Sequence, residues 1–215
     1  FYPFVGEGPT GISDPQNAPA QVSGKPRALG EVVTNPARIA VFDDPTASPR
    51  VVVIQPSDVR TFLEEITATV TKLAKEQGGS ISFTVIREVV ENYVHAYFIE
   101  PTITILNGGN TIRFSDQGPG IREKDRALEY GTTSATEEMK RYIRGVGSGL
   151  PYAQQYMEDH GGTLTIEDHM NAGTVVTISM PTPHAAEVAA SQQQGNGVWQ
   201  PPQQDFQQTP QQAQV

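Results

Sequence analysis

Four groups of residues in this sequence have types and spacings that could do chemistry. Glu88 and Asn92 stand four apart in an apolar-periodic stretch, so a helix would carry both on one face. The Asn amide oxygen is a hard neutral ligand suited to Mg²⁺, and the carboxylate could orient or deprotonate an attacking hydroxyl or water. Asp116-Gln117-Gly118-Pro119-Gly120 directly follows a β-type run. An Asp there can accept a hydrogen bond from an exocyclic amino group such as that of adenine. Gly118 and Gly120 would let the backbone approach a flat ring without a Cβ in the way. Gly145-Val146-Gly147-Ser148-Gly149-Leu150 runs straight into a helix start, where free N–H groups and the helix dipole favour an anion. Lys140, Arg141 and Arg144 lie just upstream and could meet phosphate charge. Gly173-Thr174 precedes the last strand, and its hydroxyl could help Asp116 fix a base or a bridging water. Taken singly, each group also reads as something ordinary: a solvated helix face, a tight turn, a Gly-rich linker, a hairpin turn.

These residues need elements to position them, and the periodicity supplies a set. Arg38 to Phe42 and Val51 to Ile54 read as strands. Ser57 and Asp58 open a helix whose apolar positions Val59, Phe62, Leu63, Ile66, Val70 and Leu73 recur at helical spacing until Gly78-Gly79. A second helix spans Ser82 to Tyr97 and carries Glu88 and Asn92. Thr102 to Leu106 and Thr111 to Ser115 form a hairpin across Asn107-Gly108-Gly109-Asn110. A loop-rich stretch runs to Gly149. A helix from Leu150 to His160 takes Pro151 in its first turn, where the missing N–H costs nothing. Thr163 to Glu167 and Thr174 to Met180 make a last hairpin. The expected fold is α+β: a two-layer sandwich with about three helices on one face of a mixed, mostly antiparallel sheet.

The ends differ in kind from the middle. Residues 1–35 are rich in Pro and Gly, and 185–215 in Gln and Pro, so both are expected to be disordered, leaving 36–184 as one folded domain. The formal net charge of −9 argues against a general affinity for nucleic acid or anionic membrane. With no cysteine, neither a disulfide framework nor a thiolate metal site can form. No apolar run approaches the ~20 residues that span a bilayer. The chain reads as soluble, intracellular and cytoplasmic.

In order along the chain stand a helix with E-x-x-x-N, a hairpin, D-x-G-x-G, a long loop, G-x-G-x-G-L opening a helix, H-G-G, a hairpin and G-T. Over about 130 residues this series resembles the superfamily of histidine kinases, heat-shock chaperones, gyrases and mismatch-repair ATPases, known as the GHKL or Bergerat fold. The resemblance implies ATP and Mg²⁺ as cofactors. It implies that Asn92 holds Mg²⁺ between the phosphates, that Asp116 reads the adenine amino group, and that Gly118 and Gly120 shape the adenine pocket. Gly145, Gly147 and Gly149 would close a lid over the phosphates; Lys140, Arg144, Leu150 and Thr174 would complete the nucleotide site, and Glu88 would be the catalytic carboxylate. Two residues depart from the family pattern: Tyr93 where a small residue usually follows the Asn, and His95 three rather than four positions after it.

Within the superfamily, the stretch Ser57 to Gln77 holds no phosphoacceptor histidine; the four histidines are His95, His160, His169 and His184. The layout is similar to that of anti-sigma factor serine kinases, which implies a protein kinase acting on a sigma-factor system, with a sigma factor or anti-anti-sigma factor as partner. The alternative is the catalytic domain of a two-component histidine kinase with a response regulator as partner; an ATP-gated binding module without kinase activity is a third reading. A homodimer remains open.

Overall fold

A computed structural model describes residues 29–44, 46–143, 147–170 and 172–181. Among the described residues six strands form one sheet: β1 Ala37–Val41, β2 Arg50–Ile54, β3 Thr102–Leu106, β4 Thr111–Ser115, β5 Thr163–Asp168 and β6 Thr174–Ser179. Their order is β2-β1-β3-β4-β6-β5. Only β1 and β3 run parallel, with Ile39 opposite Ile103; the other neighbours are antiparallel. Strand alternation decides which face is covered. Ile39, Ile103, Ile105, Ile112 and Ile178 are fully buried. The opposite face carries Arg38, Thr104, Arg113 and Thr177, with Arg113 paired to both Thr104 and Thr177. This is the mixed, mostly antiparallel α+β sandwich expected from the sequence.

The buried face is roofed by helices α1 (Val59–Glu76), α2 (Phe83–Val90) and α4 (Gly149–Asp159); a single-turn helix, α3 (Lys124–Ala127), lies in the long loop. Asp58 caps α1 by accepting a 3.0 Å hydrogen bond from the Thr61 amide. The Thr61 side chain first, and then that amide bond, hold its carboxyl below the usual range. Phe62, Ile66 and Val70 then face the core, fully buried. Two buried threonines keep the helix interior satisfied by donating to the carbonyls four residues back, Thr67 to Leu63 and Thr71 to Thr67, each at 2.7 Å.

The second helix departs from its sequence reading. It stops as an α-helix at Val90, tightens to one 3₁₀ turn over Glu91–Val94 and then unwinds. Tyr97, Phe98 and Glu100 take φ values of 54°, 52° and 49°. The chain must leave the helix before Pro101, which disfavours helical backbone at the residue before it, and then enter β3. Phe98 anchors the turn: its amide donates to the Tyr93 carbonyl at 3.0 Å, and its ring meets Phe62 edge-on at 5.7 Å.

The segment before β1, read as part of the proline-rich head, packs against the fold from Leu29 onward. Leu29 and Val33 are each only 4% exposed. The Val33 amide donates to the Ser57 carbonyl at 2.9 Å, and the Asn35 side chain donates to the Phe98 carbonyl at 3.0 Å. Two well-placed apolar residues suffice to dock this segment despite its composition. No helix among the described residues is long and apolar enough to cross a membrane.

Candidate functional site

A cavity of about 540 Å³ opens between α2, the start of α4, the ends of β4 and β6, and the loop from Ile121 to Ser148. That volume is in the range of small-molecule sites. From α2 and its 3₁₀ turn come Glu88 and Asn92; from the end of β4, Asp116 and Gly120. Gly147, Gly149 and Leu150 line it from the start of α4, and Thr174 from β6. Eight of the sequence-predicted residues are thus drawn together by elements distant in sequence.

Asp116 sits where β4 leaves the sheet beside β6. Its amide donates to the Thr174 carbonyl at 3.0 Å, and its Oδ1 accepts from the amides of Gly118 at 2.8 Å and Thr174 at 3.3 Å. Both side-chain bonds fall on Oδ1, which leaves Oδ2 as the acceptor for a ligand donor. Burial pushes the carboxyl above its usual range, opposed by the Gly118 and Thr174 amides and then by the charge of His169. Gly118 works from behind the cavity: a Cβ there would stand 2.7 Å from Cα of Ala96, so only glycine lets this loop close onto the turn after α2.

Asn92 uses its amide nitrogen on its own helix, donating to the carbonyls of Glu88 at 2.9 Å and Val89 at 3.3 Å. This orientation makes Oδ1 the outward-facing atom, a hard oxygen of the kind Mg²⁺ takes. Among the described residues no group of three or more His, Asp or Glu could hold a metal alone. The donor set therefore fits an ion shared with phosphates and water, the usual habit of Mg²⁺. Glu88 is only 8% exposed, and its Oε2 lies 3.0 Å from where a Cβ at Gly149 would stand. Gly149 is thereby the residue that lets the first turn of α4 close over this carboxylate.

Tyr93, the large residue beside Asn92, points away from the cavity. Its hydroxyl donates to the Thr102 carbonyl at 3.1 Å, and burial, with Asp116 nearby, keeps it firmly protonated. The departure from the family pattern thus fills core beneath the site. His95 does face the cavity, within 3.1 Å of Ser134 Oγ through Nδ1, and burial pushes its pKa down.

Lys140, expected near phosphate charge, instead pairs with Glu137 at 2.6 Å and does not line the cavity. Arg144 and Gly145 lie outside the described residues. The cations that do line it are Arg122 and Arg126, with the hydroxyls of Thr132, Thr133 and Ser134. These were missed because the loop has no periodicity; the basic residues just after Gly120 were the available signal.

Residues 80–184 match the family model described as histidine kinase-, DNA gyrase B-, and HSP90-like ATPase. The chain carries a domain of that ATPase family. Among curated relatives, the ATPase domain is similar to the signal transduction histidine-protein kinase/phosphatase MprB of Mycolicibacterium vanbaalenii, 38% identical over 86 residues, covering 35% of this chain and 17% of that protein. The chain as a whole is also similar to the signal transduction histidine-protein kinase AfsQ2 of Streptomyces coelicolor, 26% identical over 205 residues, covering 84% of this chain and 36% of that protein. The chain thus spans well under half the length of either. The crystal structure of the DIP2311 protein from Corynebacterium diphtheriae shares the fold, with a TM-score of 0.56 at 16% identity, over 72% of this chain and 36% of that one. The relatives favour the histidine-kinase reading over the anti-sigma serine kinase reading that the layout suggested first.

Proposed function

We propose that this chain is the ATP-binding catalytic part of a histidine-kinase-type signalling protein, which moves the γ-phosphoryl group of ATP to a histidine and thence to a response regulator. The observation that carries this reading is the meeting in one cavity of Asn92, the Asp116–Thr174 pair and the glycine-bounded start of α4. Adenine would lie against Asp116, its amino group donating to Oδ2, with Thr174 and Gly120 beside it. The phosphates would lie toward Asn92, Gly147 and the α4 N-terminus, where unpaired N–H groups favour anions. Bound Mg²⁺ would neutralise phosphate charge, with Asn92 as its protein ligand. Glu88, buried beside that end, would hydrogen-bond the incoming nucleophile and accept its proton. α1 carries no histidine, so the acceptor lies on another segment or another protein.

Two substitutions test this. Asp116→Asn replaces the acceptor with a mixed donor–acceptor group and should cost about 1.5–3 kcal/mol of ATP affinity, the worth of a hydrogen bond to a charged group. Wild-type affinity should itself fall on acidification, and from a higher pH than an ordinary carboxylate would give, because burial raises the Asp116 pKa. Calorimetry showing equal affinity in the variant would remove Asp116 from the site. Glu88→Gln should keep ATP binding but slow transfer to an added histidine-bearing acceptor domain by about 100-fold or more. Normal transfer by that variant would leave the reaction without its base.

A further inference from the structure

One side-chain pair bridges the two sides of the cavity. His95 follows Asn92 by three residues on the turn that ends the second helix, while Ser134 belongs to the facing loop; Oγ and Nδ1 are 3.1 Å apart. A hydroxyl set against an imidazole nitrogen is the arrangement in which the ring takes the hydroxyl proton as oxygen attacks. The loop is tied to the same end of the cavity a second way: the Gly131 amide donates to the Gly147 carbonyl at 2.9 Å. Gly147, at φ 68°, packs so closely on Thr132 that a side chain there would strike its backbone. Ser134 thus stands beside the region assigned to the terminal phosphate. Ser134 is itself exposed.

We propose that Ser134 is a phosphorylation site served by the chain's own bound ATP, with His95 as the base. This rests on the ATP-binding reading above and does not require the histidine acceptor. A bond forms between Ser134 Oγ and the γ-phosphorus as the bond from that phosphorus to the β,γ-bridging oxygen breaks. The electron pair leaves with ADP, and the hydroxyl proton passes to His95 Nδ1 and then to water. The product is a phosphomonoester, stable in acid, whereas a phosphohistidine is not.

The test uses the full chain with γ-³²P-labelled ATP and Mg²⁺, alongside binding of a fluorescent non-hydrolysable ATP analogue. The expected result is an acid-stable label of at most one phosphoryl group per chain, mapped by mass spectrometry to the peptide holding Ser134. The rate constant should not depend on chain concentration, as transfer within one molecule requires. Ser134→Ala should lose this label, and His95→Gln, at saturating nucleotide, should form it about 100-fold more slowly, the scale of general-base loss. Analogue binding without label at Ser134 overturns this proposal alone. So does an acid-labile label on His95, or an undiminished label in Ser134→Ala. Failure of the wild type to bind the analogue removes the donor and overturns the ATP-binding reading as well.

Discussion

The floor of the cavity and its loop wall are held by different kinds of contact. The floor is sheet: Ser115 pairs with Val175, Asp116 and Thr174 exchange backbone and side-chain bonds, and Thr174 and Val175 are 5% and 1% exposed. The wall, from Ile121 to Ser148, has the single-turn α3 with no buried residue and one 3₁₀ turn over Met139–Arg141. Among the described residues its ties to the rest are the Lys124–Asp168 ion pair at 2.7 Å, Ser134 to His95, the Leu29 amide to Glu138 at 3.1 Å, the one buried side chain of Met139 and a fringe of half-buried apolar side chains such as Ile121 and Ile143. A floor built into the ladder opens only when the sheet does, whereas a wall with few buried groups opens at lower free energy. The half that would read the base is thus pre-formed, and the half that would meet the phosphates is free to admit and release a large anion.

The largest effect expected comes from the segment that braces both. A chain starting at Asn35 loses Leu29 and Val33, two buried apolar side chains worth about 1.5–3 kcal/mol each, together with the tie to Glu138. A chain starting at Leu29 keeps all three. Thermal melts should place the shorter chain well below the longer one, and coincident melts would mean that Leu29 and Val33 are not part of the core.

Next in size is a pair of truncations, one on each side of the contrast. Ile112→Ala, on β4 in the floor, should cost about 2–5 kcal/mol of global stability, as buried large-to-small changes do. Met139→Ala removes a side chain just as buried, but from the wall, so it should lower the melting temperature less. Its loss should appear instead as faster amide exchange between Ile121 and Ile143. Equal melting temperatures in the two variants would make wall and floor one cooperative unit. Asp116→Asn should not lower the melting temperature at all. A carboxyl whose folded pKa is raised contributes stability below its unfolded pKa and loses it as pH rises through the folded one, so at neutral pH its charge costs the empty fold. The amide keeps an oxygen for Gly118 and Thr174.

What the sequence made legible follows the same division. Strand alternation in Thr102 to Ser115 and helical spacing in Val59 to Leu73 located the core, because burial imposes those periods. Asp116, Asn92 and Thr174 were legible because each stands at the edge of such an element. The parallel pairing of β1 with β3 was not, since it depends on a crossover through α1 and α2 that no local pattern encodes. The early end of α2 was hidden as well, because Val94 and Tyr97 continue the apolar period while Pro101 and the turn anchored by Phe98 override it. Arg122 and Ser134 escaped for a third reason: irregular chain brings them to the cavity, and irregular chain has no period to read.

Lys140 gives the smallest expected effect and the sharpest check on that last point. Its sequence position, five residues before Gly145, suggested a phosphate contact, but its ammonium lies 2.6 Å from Glu137 on an exposed part of the wall. An exposed pair three residues apart contributes about 0–1 kcal/mol and is screened by salt. Lys140→Ala should therefore leave the melting temperature nearly unchanged and ATP affinity within about twofold, less than the ~1.5 kcal/mol expected of a cation hydrogen-bonded to phosphate. Arg122→Ala, which removes a cation from the cavity lining itself, is the matching control and should weaken binding more. If calorimetry instead finds the larger loss in Lys140→Ala, the wall must rearrange on binding to swing this ammonium off Glu137 and onto the nucleotide. The few ties that hold the wall would then be the contacts broken in closing.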